Sequence, residues 1–178
     1  AGLVETIDVD ALAAVREFVE HAIGEAVRPA FERAYERHRP RAPYEPSPEQ
    51  IGARMLRNVC LRYLVASGDA AARRLAVAQY DGADNMTDAV AALAAVNHSR
   101  AREREALFAR FEAKWRDEPL VLDKWFMLQA TSQRTDTLAR VRALTAHPGF
   151  NARNPNRVRS LVGAFALRNW CAFHAADG

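Results

Sequence analysis

The sequence is poor in the motifs from which metalloenzyme sites are built. The chain has five histidines, which are His21, His38, His98, His147 and His174. None of them lies in an H-E-x-x-H frame, the helical spacing that places two imidazoles on one face to bind zinc. The two cysteines, Cys60 and Cys171, are far apart and form no C-x-x-C pair. The sequence therefore predicts no catalytic residue and no metal ligand in this segment, so that function must rest on shape, partner contact or channel lining.

Long apolar runs are also missing. No stretch approaches the roughly 18 consecutive apolar residues that a membrane-spanning helix requires. Residues 1–10 offer neither the basic start nor the apolar core of a secretory signal. Two distant cysteines provide no disulfide framework, which is typical of proteins from a reducing compartment. We therefore expect no membrane partner and a cytoplasmic location.

Lysine is scarce, although the net charge is +3 and the sequence pI is about 9.2. Lys114 and Lys124 are the two lysines, so arginine supplies nearly all of the positive charge. Arginines alternate with glutamates in Arg100–Glu105 (RARERE), a pattern typical of a solvated helix face rather than of the basic stripe of a nucleic-acid-binding protein. Arg57 and Arg62 are expected to form salt bridges between helices. The charge pattern argues against a nucleic-acid partner.

Almost every segment shows helical periodicity, and none shows strand-like alternation bounded by hairpin turns. Helix start signals occur at residues 47–48, 69, 87–88, 99, 119, 135–136 and 154–155. Pro29 should kink or break the first helical segment, and the stretch from Pro40 to Pro48 is the one extended linker. Starts recur roughly every 15 to 20 residues, as in stacked helix pairs. The sequence predicts one all-α domain over residues 1–178, an irregular α-solenoid of about eight helices in antiparallel pairs, with a compact helical bundle as the alternative.

Two helical segments provide specific predictions about the core. The residues Ile51, Met55, Val59 and Tyr63 recur at helical spacing and, with Leu56, Cys60 and Leu64 beside them, predict one apolar stripe. Residues 120–128 (LVLDKWFML) are apolar nearly all round, which indicates a helix buried on most sides. Its two charged residues, Asp123 and Lys124, are expected to project through an exposed edge, because a buried unpaired charge is costly. The alternative for Asp123 is an internal ion pair.

The segment from Asn154 to Arg159 (NPNRVR) contains the candidate site residues. Its first-turn amides and arginines suit an anion. The predicted core stripe of this helix consists of Val158, Leu161, Val162 and Phe165. Arg159 lies on another face, with Gly163 and Ala166, whose small side chains allow a second backbone to approach. Asn154, Arg157 and Arg159 are therefore candidates for binding an anion. The alternative is a helix cap with surface arginines.

Four sequence blocks and the chain ending carry a family resemblance. They are residues 55–64 (MLRNVCLRYL), 85–93 (NMTDAVAAL), 123–132 (DKWFMLQATS), 154–165 (NPNRVRSLVGAF) and 173–178 (FHAADG). Together they resemble the C-terminal domain of bacterial aminopeptidase N over essentially the whole chain. The resemblance implies a parent zinc exopeptidase that removes N-terminal amino acids from peptides, with the zinc and the H-E-x-x-H helix in an upstream catalytic domain.

The same resemblance implies an all-helical superhelix that closes over that catalytic domain and leaves an internal chamber. It places Arg159 on the chamber wall, where it would meet a peptide carboxylate or a main-chain carbonyl. The expected partners are then the catalytic domain of the same polypeptide and the parent's peptide substrates. The alternative is an autonomous helical scaffold that binds a protein or nucleic acid.

The C-terminal region carries one further expectation. The family continues beyond the FHAADG block and begins before Ala1, so we expect a chain shortened at both ends. Apolar residues at Val162, Phe165, Trp170 and Phe173 would then be exposed. Exposed apolar patches of this kind drive association, and the sequence predicts self-association through this end. The alternative is a fold-back in which Trp170 and Phe173 dock on their own domain.

Overall fold

The described part of the chain, residues 7–175 of a computed structural model, consists of helices and contains no β-strand. The first eight are α1 (Val9–Ala26), α2 (Arg28–Arg37), α3 (Pro48–Ala66), α4 (Ala70–Asp81), α5 (Met86–Val96), α6 (Arg102–Trp115), α7 (Pro119–Ala130) and α8 (Thr137–Leu144). Then come α9 (Pro155–Val158), a π-helical turn (Arg159–Gly163), α10 (Ala164–Arg168) and α11 (Trp170–Phe173). The predicted all-α fold is confirmed. None of these helices is long and apolar enough to cross a membrane.

Side-chain caps explain where many of the helices begin. Ser47 Oγ accepts a hydrogen bond from the amide of Gln50 (3.3 Å), and Asp69 Oδ1 accepts one from Ala71 (2.9 Å). Each cap satisfies an amide that has no partner inside its helix. The helix α3 ends where Gly68 adopts a positive φ of 81°, a conformation that only glycine enters without strain. The start signals in the sequence therefore predict the first residue of most helices to within a few residues.

The first helical segment breaks at Val27, and Pro29 lies in the first turn of α2. Proline is tolerated there because a first-turn amide has no helical partner. Residues 38–47, which include most of the predicted linker, are not helical. This connection is nevertheless held in place, since the amide of Tyr44 donates to Asp84 Oδ2 (2.9 Å) and Arg54 lies over the Tyr44 ring.

Consecutive helices pack against each other along the chain. The pairs α2/α3, α4/α5, α6/α7 and α7/α8 are in contact, and α3/α5 and α5/α7 join successive layers. Because the connections are short, neighbouring helices run antiparallel. The helix α7 also contacts α9, the π-helical turn and α10. Six of its twelve residues are buried and three more are half-buried, so that α7 is the centre of the C-terminal half.

The predicted apolar stripe of α3 is only partly correct. Cys60 and Leu64 are buried and Tyr63 is half-buried, whereas Ile51, Met55, Leu56 and Val59 are exposed. The reason is that arginine occupies the inner face of the first half of this helix. Arg54 and Arg57 are buried there, although the apolar pattern of the sequence predicts that both are exposed.

Arg57 is buried by hydrogen bonding and stacking rather than by a salt bridge. Its Nη2 donates to the Tyr35 hydroxyl of α2 (2.9 Å), and its guanidinium lies 4.4 Å from the centroid of the same ring. Arg62 lies over the Tyr63 ring. Neither arginine forms an ion pair among residues 7–175, so the predicted inter-helix salt bridges are wrong. Arginine suits such sites because its planar guanidinium is weakly hydrated and stacks on aromatic faces.

The helix α1 connects distant parts of the fold. Near its C-terminal end, His21 Nδ1 lies 3.3 Å from the carbonyl oxygen of Ala66 at the end of α3. At its start, the Val9 carbonyl lies 3.7 Å from Cys171 Sγ of α11. Between these contacts, Leu12, Val15 and Phe18 are exposed. One apolar face of α1 is therefore left uncovered by residues 7–175.

The C-terminal apolar residues are only partly exposed. Val162, Trp170 and Phe173 are exposed as expected, whereas Phe165 is buried and the prediction for it is wrong. Phe173 folds back toward its own chain, because its ring packs edge-on against that of Phe165 with 6.0 Å between centroids. Self-association through this end stays a prediction.

We predict that Gly24→Ala will destabilise the fold and that Gly52→Ala will not. A Cβ at Gly24 would lie 2.5 Å from the backbone oxygen of Tyr63, so α1 must move away from α3. Overpacking of this kind costs about 1–3 kcal/mol. Gly52 is the matched control, since a Cβ there meets nothing within 4 Å and alanine gains about 0.5–1 kcal/mol in a helix. Urea unfolding of both variants measures the difference, and equal midpoints would contradict the packing of α1 on α3.

Candidate functional site

The three candidate residues predicted from the sequence lie close together, at the start of α9 and in the π-helical turn. Asn154 is the N-cap: its Oδ1 accepts from the amides of Asn156 (3.0 Å) and Arg157 (3.4 Å). The oxygen that could have met a ligand is thus used to begin the helix. Asn154 is therefore a helix cap, which is the alternative that the sequence left open for it.

Arg157 is buried, with 5% of its surface exposed. Its Nη1 lies 2.8 Å from Asp123 Oδ1 of α7, and its guanidinium lies 5.0 Å from the centroid of Phe126. The ion pair is close but poorly aligned, because Nη1 has no partner by hydrogen-bond angle. We therefore treat this contact as electrostatic. Arg157 joins α9 to α7 and is neither a surface residue nor available to a ligand.

The expectation that Asp123 projects through an exposed edge is wrong. Its side chain is 16% exposed and faces both Arg157 and the hydroxyl of Ser160, whose Oγ donates to Asp123 Oδ1 (3.1 Å). A carboxylate is tolerated here because a cation and a hydroxyl replace its water. Lys124 is exposed, as expected.

Arg159 differs from the other two candidates. It is exposed, and within residues 7–175 its side chain has no hydrogen-bond or ion-pair partner. The turn that carries it is π-helical, since the amide of Ala164 donates to the Arg159 carbonyl five residues earlier. Single π-helical turns often occur at functional sites. Arg159 is the candidate that can contact a ligand.

The predicted core of this segment contains one error. Arg157, Leu161, Ala164 and Phe165 are buried, at the helical positions i, i+4, i+7 and i+8, but Val162 is exposed. The buried face is centred on another side of the helix than predicted, because the prediction assigns Arg157 to the surface, whereas it is buried against α7.

A second polar site was missed by the sequence reasoning. It is a cleft of about 270 Å³ between α6, α7 and the start of α8, here called the arginine cleft. Its polar lining includes Arg104, Glu105, Gln129, Arg134, Asp136 and Arg140. Arg104 is 3% exposed, so the interpretation of residues 100–105 as a solvated face is wrong for this residue. The sequence does contain an indication that Arg104 is buried, because Arg104 shares a helix face with the apolar residues Leu107, Phe108 and Phe111.

Burial lowers the pKa of Arg104, and the nearby Arg134 and Arg140 lower it further, while Glu105 raises it. The arginine cleft therefore has a local excess of positive charge. A third feature is a wider cleft of about 450 Å³ between α4, the start of α5 and α6, lined by Tyr80, Met86, Arg110 and Trp115 among others. There Arg110 is paired with Asp81 and lies over the Tyr80 ring.

Zinc does not fit the part of the chain that the structure describes. No group of three or more His, Cys, Asp or Glu side chains in residues 7–175 is arranged to hold a metal ion. Structural zinc needs four such ligands and catalytic zinc three. No chemical step is therefore assigned to a metal here.

We predict that Asp123→Asn will lower the free energy of unfolding by about 3 kcal/mol, the low end for a broken buried ion pair because Asp123 keeps some solvent contact. The change leaves the Arg157 charge buried without a counter-ion. Asp117→Asn is the matched control, since Asp117 is exposed and has no ion pair among the described residues. Denaturant unfolding measures both, and a loss no larger than that of the control would contradict the role of the pair.

Comparison with known proteins places the chain in a family. A family model described as "Domain of unknown function (DUF3458_C) ARM repeats" matches residues 1–178. The chain is 42% identical over 178 residues to Aminopeptidase N of Escherichia coli and 41% identical over 174 residues to that of Haemophilus influenzae. These matches cover 100% and 98% of the chain but 20% of each relative, so the chain spans about one fifth of their length.

A solved structure shows the same fold. The crystal structure of Legionella pneumophila aminopeptidase A in complex with aspartic acid matches with a TM-score of 0.80 and 24% identity, over 92% of this chain and 20% of that one. At this identity the likeness concerns the fold alone. Because the family model spans every residue, the chain belongs to the family of armadillo-repeat helical domains described as DUF3458_C, and it is similar throughout to a segment of bacterial Aminopeptidase N.

Proposed function

We propose that this chain is the accessory helical domain of a zinc aminopeptidase, which caps an active site in an upstream catalytic domain and lines access to it. The observation that carries the proposal is the full-length match of this chain to one fifth of Aminopeptidase N. The sequence supports it, because it contains no H-E-x-x-H motif. In this proposal the zinc and its ligands belong to the catalytic domain.

Within this role, we assign peptide contact to Arg159. Asn154 and Arg157 are committed to the cap and to the ion pair with Asp123, so they position the turn. Arg159 extends from the same turn into solvent. Its guanidinium presents a planar set of donors that suits a peptide carboxylate or a main-chain carbonyl. A Cβ at Gly163 would meet nothing closer than 3.8 Å, so the chain itself does not obstruct this face.

We predict that Arg159→Ala in the whole aminopeptidase will lower kcat/KM for tri- and tetrapeptides about tenfold, the value of one charge-assisted contact. Single-residue aminoacyl amides should be affected less than twofold, because they do not reach the chamber wall. Arg153→Ala is the matched control, since Arg153 is exposed and lies before the helix begins. Steady-state kinetics with both substrate classes measures the effect. An equal loss for both classes, or for Arg153→Ala, would contradict the assignment.

We predict that the chain alone, treated with a chelator and then supplied with zinc, will not hydrolyse an aminoacyl amide. The described residues offer no ligand set for the metal, and a catalytic zinc needs three protein ligands. The same assay on the whole aminopeptidase is the positive control. Zinc-dependent turnover by the chain alone would refute the accessory role.

A further inference from the structure

The arginine cleft contains more cationic than anionic groups. Glu105 Oε1 accepts from both Arg104 Nη1 (2.7 Å) and Arg134 Nη1 (3.0 Å). Asp136 binds Arg134 through both of its oxygens, at 2.9 and 2.7 Å. The two carboxylates therefore pair with the guanidinium groups of Arg104 and Arg134. The net charge of these four side chains is zero.

Arg140 supplies the remaining charge. Its Nε donates to Gln129 Oε1 (2.7 Å), and it has no carboxylate partner within ion-pair distance among the described residues. Arg140 is exposed, so its terminal nitrogens are accessible from solvent. The cleft thus presents one uncompensated positive charge whose guanidinium is held in place at one end.

Gln129 provides a second, independent indication of a ligand. It lines the cleft, is 1% exposed, and its Nε2 has no hydrogen-bond partner among residues 7–175. The orientation of its amide is fixed, because Arg140 Nε can only donate and must therefore face Oε1. Buried donors are nearly always paired in folded proteins. An unpaired donor beside an unpaired cation indicates an acceptor that the described part of the chain does not supply.

We propose that the arginine cleft binds a carboxylate monoanion. The carboxylate accepts from the exposed terminal nitrogens of Arg140, and its second oxygen reaches Gln129 Nε2, which has no solvent-exposed surface in the unliganded chain, once that amide turns toward the cleft. A single negative charge balances the one excess positive charge of the cleft. A phosphate dianion would add a second negative charge, which has no cation to pair with and would be repelled by Glu105 and Asp136. A volume of about 270 Å³ corresponds to about nine waters, enough for the end of a peptide or an acidic side chain.

This inference does not rest on the proposed aminopeptidase role. The site lies between α6, α7 and α8, whereas Arg159 lies on the π-helical turn. Loss of peptide contact at Arg159 would leave the arginine cleft intact, so each proposal can fail without the other.

The test is a titration of the whole 178-residue chain followed by ¹H–¹⁵N NMR. N-acetylglycine carries a free carboxylate, and N-acetylglycinamide is the neutral probe of the same shape. We expect N-acetylglycine to shift the Gln129 side-chain amide and the neutral probe to leave it unchanged. Arg140→Gln should weaken binding at least tenfold, the effect of losing a charge-assisted pair, and Arg140→Lys should weaken it less.

Arg142→Gln is the matched control, because Arg142 is an exposed arginine of the same helix without an ion pair in the described region. It should change the affinity less than twofold. N-acetylaspartic acid amide, whose carboxylate is on a side chain, separates the two sources of ligand: tighter binding than N-acetylglycine indicates a protein side chain, and weaker binding a peptide C-terminus. Equal shifts with the neutral probe, tighter binding of inorganic phosphate, or equal losses for Arg142→Gln and Arg140→Gln would each overturn the proposal.

Discussion

The ion pair between Arg157 and Asp123 joins the C-terminal helices of this domain to α7. The buried guanidinium of Arg157 in α9 needs a counter-charge. Asp123 provides it from α7, a helix that is otherwise almost entirely apolar. The pair fixes the π-helical turn against the helix on which α6, α8 and α10 also pack. Arg159 then extends outward from a rigid base. Its orientation is therefore a consequence of the burial of its neighbour two residues earlier.

The same use of arginine recurs through the fold. Four buried arginines each lie over an aromatic ring, in the pairs Arg54/Tyr44, Arg57/Tyr35, Arg104/Phe108 and Arg157/Phe126. A guanidinium can stack on a ring and donate hydrogen bonds in its plane, whereas an ammonium is compact and strongly hydrated. Arginine thus joins helices in places where lysine would have to remain in water.

Much of the fold could be predicted from the sequence, because local signals decide where helices begin and end. The caps at Ser47 and Asp69, the proline at residue 29 and the apolar helix α7 are all such signals. The errors arise where a tertiary partner overrides the local pattern. Arg57 is buried because Tyr35 lies opposite, and Asp123 is turned away from the exposed edge because Arg157 lies beside it from a segment distant in sequence. Of the candidate site, the sequence located the segment but could not separate the exposed Arg159 from its committed neighbours.

An accessory domain must bind the domain that it serves, and this is the most direct point at which to test the proposal. The exposed apolar residues of α1 and α3, including Leu12, Phe18 and Met55, offer surface for such contact. Sedimentation velocity of this chain mixed with the separately expressed upstream catalytic polypeptide, at about 10 µM each, measures the association. The proposal predicts a one-to-one complex that sediments faster than either component. Two independent boundaries, with no complex at this concentration, would contradict it.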